Sequence, residues 1–209
     1  LPMPREIVLA SGNRGKLAEL AAVLATCDVS VRPQADFDVP EADEDGLTFV
    51  ENALKKARNA ARYCNRPALA DDSGIAVDAL SGAPGIHSAR YAGAGASDAQ
   101  NLAKLLQDMA DVPDAERQCR FICVIAFLRH ADDPTPIICQ GEWAGAVLRA
   151  PRGHAGFGYD PVFHVPGRDC TAAELDPAVK NSISHRGRAL GEFVRAFQRL
   201  YVPDTKSPR

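Results

Sequence analysis

Several things are missing from this chain of 209 residues, and each absence excludes a class of protein. No window approaches the ~20 consecutive apolar residues of a membrane-spanning helix. The N-terminal residues lack the charged-then-apolar pattern of a secretory signal. The six cysteines (Cys27, Cys64, Cys119, Cys123, Cys139 and Cys170) form no C-x-x-C pair and show no His/Cys ligand spacing. Structural zinc is therefore not expected, and a reducing, cytoplasmic setting is. Basic charge is not in excess: the net charge of −3 argues against a binder of nucleic-acid polymers. Neither G-x-x-x-x-G-K-[ST] nor G-x-S-x-G occurs, which removes the Walker A loop and the serine-hydrolase elbow.

The residues present are 46% hydrophobic and 24% charged, enough for one large domain or one domain with two lobes around a cleft. Charge is unevenly spread. Eight acidic residues and one basic residue, Arg32, lie between Asp28 and Asn52; seven basic and two acidic residues lie from Lys180 to the end. An acidic and a basic lip on one chain suit a metal ion and a phosphorylated ligand, although charge runs are commonly just solvated surface.

The stretch Leu69-Ala70-Asp71-Asp72-Ser73-Gly74-Ile75-Ala76-Val77 organises the rest. If its apolar ends are strands, Asp71 and Asp72 point to opposite faces and cannot both enter the core without cost. One of them then looks into a cleft. Asp-Ser-Gly is also ordinary turn chemistry, so a turn at this point fits the composition equally well.

Upstream, the strand candidate Ile7–Ala10 runs into Ser11-Gly12-Asn13-Arg14-Gly15-Lys16 and a helix whose face carries Leu17, Leu20, Ala21 and Leu24. A glycine loop feeding a helix N-terminus, with a lysine beside it, is a ready phosphate site; a plain strand-to-helix turn uses the same residues. The acidic loop with Glu41, Asp43 and Glu44 precedes Thr48-x-x-Glu51, a capping box that opens a long helix. That helix buries Val50, Ala53, Leu54, Ala57, Ala60 and Ala61, leaving Lys55, Lys56, Arg58, Asn59 and Arg62 on the other face. One acidic-loop carboxylate, with Glu44 favoured, completes a hard-cation site with Asp72, since Mg²⁺ commonly takes only one or two carboxylates.

Downstream, Gly82–Gly93 reads as an ordered loop, and Ser97-x-x-Gln100 as a second capping box before a helix burying Leu102, Leu105, Leu106 and Met109. Cys119–Leu128 is apolar on both faces and reads as a central strand, with a partner from Ile137 that Glu142 and Trp143 extend. Trp143 reads as packing or as a stacking platform. In Gly153–Phe163, glycines flank two aromatics. Either Phe157 is presented to stack on a nucleobase, or the aromatics fill the core behind a β-turn. Thr171–Glu174 caps a short helix that Pro177 interrupts. Lys180, His185 and Arg186 stand just before or at the N-terminus of the last helix, where the dipole disfavours cations unless an anion or carbonyl-rich ligand is expected.

Five segments in order resemble the inosine triphosphate pyrophosphatase (Ham1-like) family: Ser11-Gly12-Asn13…Lys16, Ala70–Gly74, Gly82–Gly85 with Ser88–Tyr91, Gly156–Pro161 and Ser184–Gly187. The resemblance covers about Ile7 to Leu200. It implies an α/β fold, an elongated mixed twisted sheet flanked by helices, with two lobes around a central nucleotide-binding cleft. Residues 1–202 would form this single catalytic domain and 203–209 a flexible tail. It also implies a homodimer and Mg²⁺-dependent hydrolysis of ITP, dITP and XTP to the monophosphate and pyrophosphate. Carried over residue by residue, Asp72 would bind Mg²⁺ with Glu44 and activate water. Ser11, Gly12, Asn13, Arg14, Gly15, Lys16 and Ser73 would bind the triphosphate. Phe157, Gly158, Tyr159 and Asp160 would form the wall on which the base stacks, and Lys180, His185 and Arg186 would hold the nucleotide and read the purine edge.

Overall fold

The computed structural model describes residues 3–11, 20–22, 24–25 and 28–201. The loop residues Gly12 to Lys16, Leu17 and the tail 203–209 lie outside them. Leu20 and Leu24, from the helical face expected behind that loop, are helical and buried.

Six strands form one mixed sheet flanked by helices. In chain order they are β1 (Glu6–Leu9), β2 (Ser30–Pro33), β3 (Ala68–Val77), β4 (Gln118–Leu128), β5 (Ile137–Val147) and β6 (Phe163–His164). Their order across the sheet is β2-β1-β3-β4-β5-β6. β1 runs parallel to both β2 and β3, while β6 is antiparallel to β5. The helices whose bounds lie among the described residues are α1 (Phe49–Cys64), α2 (Asp98–Asp108), α3 (Pro177–Ile183) and α4 (His185–Tyr201). None of the described helices is long and apolar enough to cross a membrane.

The chain divides into two compact units. The first comprises 1–72, 124–140 and 189–209; the second comprises 73–123 and 141–188. In the first, Ile7, Leu9, Leu69, Phe127, Phe193 and Phe197 are buried, and Phe193 lies 5.8 Å from Phe127 and 5.6 Å from Phe197 between ring centroids. In the second, Ile75, Leu105, Met109, Phe121, Trp143, Tyr159 and Phe163 belong to one buried cluster. Trp143 is therefore a packing residue there, with its ring 4.8 Å from that of Phe163.

Local signals fixed the helix ends. Thr48 Oγ1 accepts from Glu51 N, and Glu51 Oε2 accepts in return from Leu47 N, one residue before the cap. The buried stripe of α1 is Ala53, Ala57, Ala60 and Ala61 with Asn52. Each such methyl contributes only on the order of 0.8 kcal/mol, but its small size lets the helix backbone come close to its neighbours. Ser97 and Gln100 close the full reciprocal box at α2. At Pro177 the expectation of an interrupted helix is corrected. A 3₁₀ turn spans Ala172–Glu174, and α3 begins at Pro177 with Asp176 as its cap. Proline opens a helix well because its missing N–H would have no partner in the first turn.

Candidate active site

The organising stretch contains no turn. β3 runs unbroken through Asp71-Asp72-Ser73-Gly74, and both carboxylates are buried, each 7% exposed. Gly74 explains why the strand persists through turn-like residues. A Cβ there would collide with Gly85 O and Ser88 Oγ, so the strand and the 3₁₀ turn Gly85–Arg90 pack at backbone distance. Ser88 locks that packing: its hydroxyl accepts from Ile75 N at 2.9 Å and donates to Gly85 O at 2.6 Å.

Around Asp72 in the first unit, three side chains converge. Lys56 Nζ lies 3.2 Å from Asp72 Oδ1 and 3.5 Å from Glu44 Oε1. Burial pushes the Asp72 carboxyl above its usual range; Lys56 opposes the rise and Glu44 adds to it. Asn52, fully buried, uses its Oδ1 to accept from Gly46 N at 2.9 Å, which holds the end of the acidic loop on α1. Its side-chain amide also hydrogen-bonds toward the Asp72 carboxyl and opposes the rise in its pKa, and Asn52 Nδ2 and Asp72 Oδ2 are both buried. Of the three acidic-loop candidates, Glu44 is the one whose charge bears on Asp72; Glu41 and Asp43 are exposed.

Lys56 corrects the sequence reading, which placed it on the solvated face of α1. Its side chain is only 16% exposed. Helical periodicity separates apolar from polar faces, but it cannot show that a second polar surface, here Asp72, covers part of the polar face. Arg58 is corrected for the same reason: it donates to Ala131 O and Asp133 O.

In the second unit the glycine-flanked loop buries one of its two aromatics and exposes the other. Tyr159 is buried and donates its hydroxyl to Ser88 O at 2.8 Å. Phe157 is 52% exposed. Cations flank the Phe157 ring: Lys180 Nζ is 5.0 Å and the Arg186 guanidinium carbon 5.3 Å from its centroid. Asp160 is buried and accepts from both Phe157 N at 2.8 Å and Lys180 Nζ at 2.5 Å. Its carboxylate thus shapes the loop and positions Lys180. Gly156 has φ +80°, and a Cβ there would meet the Asp160 carboxylate.

Lys180 belongs to α3, whereas His185 and Arg186 are the first residues of α4. Ser184 Oγ accepts from Gly187 N at 3.2 Å. A side chain at Gly187 would strike Asn181 O, so glycine is required where the two helices meet. His185 is buried and stacked on Phe121, with centroids 4.7 Å apart and planes 13° apart. Arg186 keeps a buried Nε without a hydrogen-bond partner. Ser11 and Ser73 are both half-buried, Ser11 beyond the end of β1 and Ser73 beside Asp72 on β3.

These features define a class. A lysine-braced pair of carboxylates suits phosphoryl chemistry. An exposed ring edged by cations, beside an unpartnered guanidinium donor, suits a planar heterocycle on an anionic ligand. The fold and its side chains are those of a nucleotide-handling α/β protein. The chain belongs to the Ham1 family, whose model matches residues 7–196. It is 55% identical over 194 residues to a Vibrio cholerae protein named dITP/XTP pyrophosphatase, covering 93% of this chain and 97% of that one. A Pseudomonas aeruginosa protein of the same name is 60% identical over 185 residues, 88% of this chain and 93% of its own. The solved structure of a HAM1 protein from Coxiella burnetii is similar with a TM-score of 0.90 at 50% identity, covering 93% of this chain and 98% of that one.

Proposed function

We propose that the chain is a Mg²⁺-dependent nucleoside-triphosphate pyrophosphatase that hydrolyses ITP, dITP and XTP to the monophosphate and pyrophosphate. The observation that carries the reading is the 55–60% identity, over nearly their whole length, to proteins named for dITP and XTP pyrophosphatase activity. The side chains fit the chemistry. Water attacks the α-phosphorus as the bond to the β-phosphate oxygen breaks, pyrophosphate leaves, and the water proton passes to Asp72. A carboxylate whose pKa is raised by burial is a stronger base than an exposed one. Lys56 holds that carboxylate in place and offsets the Glu44 charge beside it.

Asp72 and Glu44, whose charges act on each other and which share Lys56, are the oxygen donors that would hold Mg²⁺; one or two carboxylates are enough when waters and phosphate oxygens complete the shell. The ion would supply charge neutralisation at the triphosphate. Ser11 and Ser73, with Gly12, Asn13, Arg14, Gly15 and Lys16 outside the described residues, are assigned to the phosphates. Phe157 is assigned to stacking on the base, with Gly158 and Tyr159 supporting the loop.

Lys180, His185 and Arg186 are assigned to the nucleotide. Inosine and xanthosine carry a carbonyl oxygen at position 6, where adenosine carries a donor amino group. The buried Arg186 Nε is a donor without an acceptor; facing adenine it would stay unsatisfied, and such mismatches discriminate by roughly 10⁴-fold. Five described cysteines are free thiols, in keeping with a cytoplasmic location, and the family resemblance implies a homodimer. The test is pyrophosphate release from ITP and ATP side by side, with and without Mg²⁺. Release from ITP that is lost on chelation supports the reading; equal release from both nucleotides, or release without the metal, overturns its base or metal assignment.

A further inference from the structure

The loop that carries Phe157 is anchored on either side of the ring, by Ala155 N on Ala173 O and by the Tyr159 hydroxyl on Ser88 O. Gly156 and Gly158 have φ of +80° and +61°, a region in which glycine moves at little cost. The ring of Phe157 is half in solvent, and only two consecutive backbone N–H groups hold the ring-bearing segment to carboxylates. Phe157 N is held by Asp160, which lies in the same turn and is itself buried and paired with Lys180. Gly158 N donates at 2.7 Å to Oδ2 of Asp98, sixty positions earlier in the chain. Asp98 is the first residue of α2, directly after the Ser97 cap. Its backbone is fixed by a closed capping box, so the carboxylate projects from a rigid base.

The same helix anchors the other loop of this unit. Asn101, 2% exposed, accepts from Ala92 N at 2.8 Å and donates to Ala89 O at 3.1 Å. Tyr91 donates its hydroxyl to Asp108 at 2.5 Å. Asp98 is the member of this row that reaches the Phe157 loop. The N-cap is already closed through Ser97 and Gln100, so beyond its favourable charge at the first turn Asp98 is free to serve the loop.

We infer that Asp98 is a positioning residue for nucleotide binding: its carboxylate pins the Gly158 amide and so holds the Phe157 ring in the orientation in which a base stacks on it. This rests on the stacking role assigned to Phe157 above. A charge-assisted hydrogen bond to a backbone amide is stronger than a neutral one, and a ring held ready binds without first paying the entropy of ordering its loop. Stacking supports ground and transition states alike, so the effect belongs in KM.

The test uses Asp98→Ala, Asp98→Asn and Phe157→Ala in the full chain. Asp98→Ala is expected to raise KM for ITP about fivefold, the scale of one partly exposed charge-assisted bond, with kcat within about twofold. Asp98→Asn, which keeps an acceptor oxygen, restores most of the loss. In the Phe157→Ala background, Asp98→Ala is expected to change KM by less than about twofold, because the ring it positions is gone. The ligand-free protein gives an independent reading: hydrogen exchange at the Gly158 amide accelerates in Asp98→Ala, while Ile75, in the core, is unchanged. Faster exchange with unaltered KM overturns the positioning role, as does a KM increase that persists without the ring. Failure of the wild-type chain to hydrolyse ITP sinks the parent reading instead, and the exchange arm still reports whether the tether exists.

Discussion

At the scale of single residues, buried charge decides what can be changed. Asp72→Asn keeps shape and volume but removes the base, so turnover of ITP is expected to fall by on the order of 10²- to 10⁴-fold while nucleotide still binds. Steady-state rates with equilibrium binding check this, and retained turnover would remove Asp72 from the chemistry. Arg186→Ala is expected to narrow the preference for ITP over ATP, measured as the ratio of kcat/KM; an unchanged ratio would take Arg186 out of base recognition. Asp133 is a structural counterpart. It is 1% exposed and accepts from Arg129 N and Nε at 3.0 and 2.7 Å, from Arg129 Nη2, and from Thr135 N at 2.9 Å. The Arg129 guanidinium holds its carboxyl far below the usual range. A carboxyl with a lowered pKa binds its proton less tightly in the folded chain than in the unfolded one. Its stabilisation is therefore complete above the unfolded value of about 4 and is lost as pH falls below it. Asp133→Asn is expected to cost about 2–3 kcal/mol at pH 7, with the gap to wild type closing below about pH 4 in urea titrations. Asp72 and Glu44 were candidates from composition and order, and the structure sets both beside Lys56. Lys56 was not: on a helical wheel it stands among ordinary solvent-facing cations, and only the neighbouring strand shows what it faces.

At the scale of elements, β3 carries the most consequence. Its central residues have turn chemistry, yet the strand continues because Ser88 and Gly85 fit against a backbone with no side chain at position 74. Gly74→Ala is expected to destabilise the chain by about 1–3 kcal/mol, the usual cost of forcing an atom into packed surroundings, read as a lower urea midpoint at constant slope. A midpoint equal to wild type would show that the turn Gly85–Arg90 can give way. The capping signals at Thr48, Ser97 and Thr171, and the two-faced apolar run of β4, were readable from sequence because they are local rules. Pro177 was misread because a proline both ends one helix and starts the next, and only the Asp176 cap distinguishes the two. The glycine loop at 153–163 stayed ambiguous for a similar reason. Both aromatics have the same sequence context, and the hydroxyl of Tyr159 finds its partner at Ser88, far away in the chain.

At the scale of the whole molecule, each unit is assembled from separated stretches of chain, with the strands β3, β4 and β5 each contributing residues to both. A ligand that binds only the folded chain stabilises it by mass action. An ITP analogue with an uncleavable α–β bridge, added with Mg²⁺ at a hundred times its Kd, is expected to stabilise by about 2.7 kcal/mol. That corresponds to a Tm rise of roughly 5–10 °C for a chain of this size. The matching ATP analogue at the same concentration is expected to shift Tm far less, and equal shifts would contradict selective recognition. What the sequence by itself determined was the fold class, the order of motifs and the helix starts at Thr48 and Ser97, because periodicity, capping and turn chemistry act over a few neighbouring residues. What only the tertiary structure decided was which polar groups meet: Lys56 with Asp72 and Glu44, Asp160 with Lys180, and Asp98 with the Gly158 amide. Those pairings join residues twelve to sixty positions apart, and their strength depends on how much water the surrounding chain excludes.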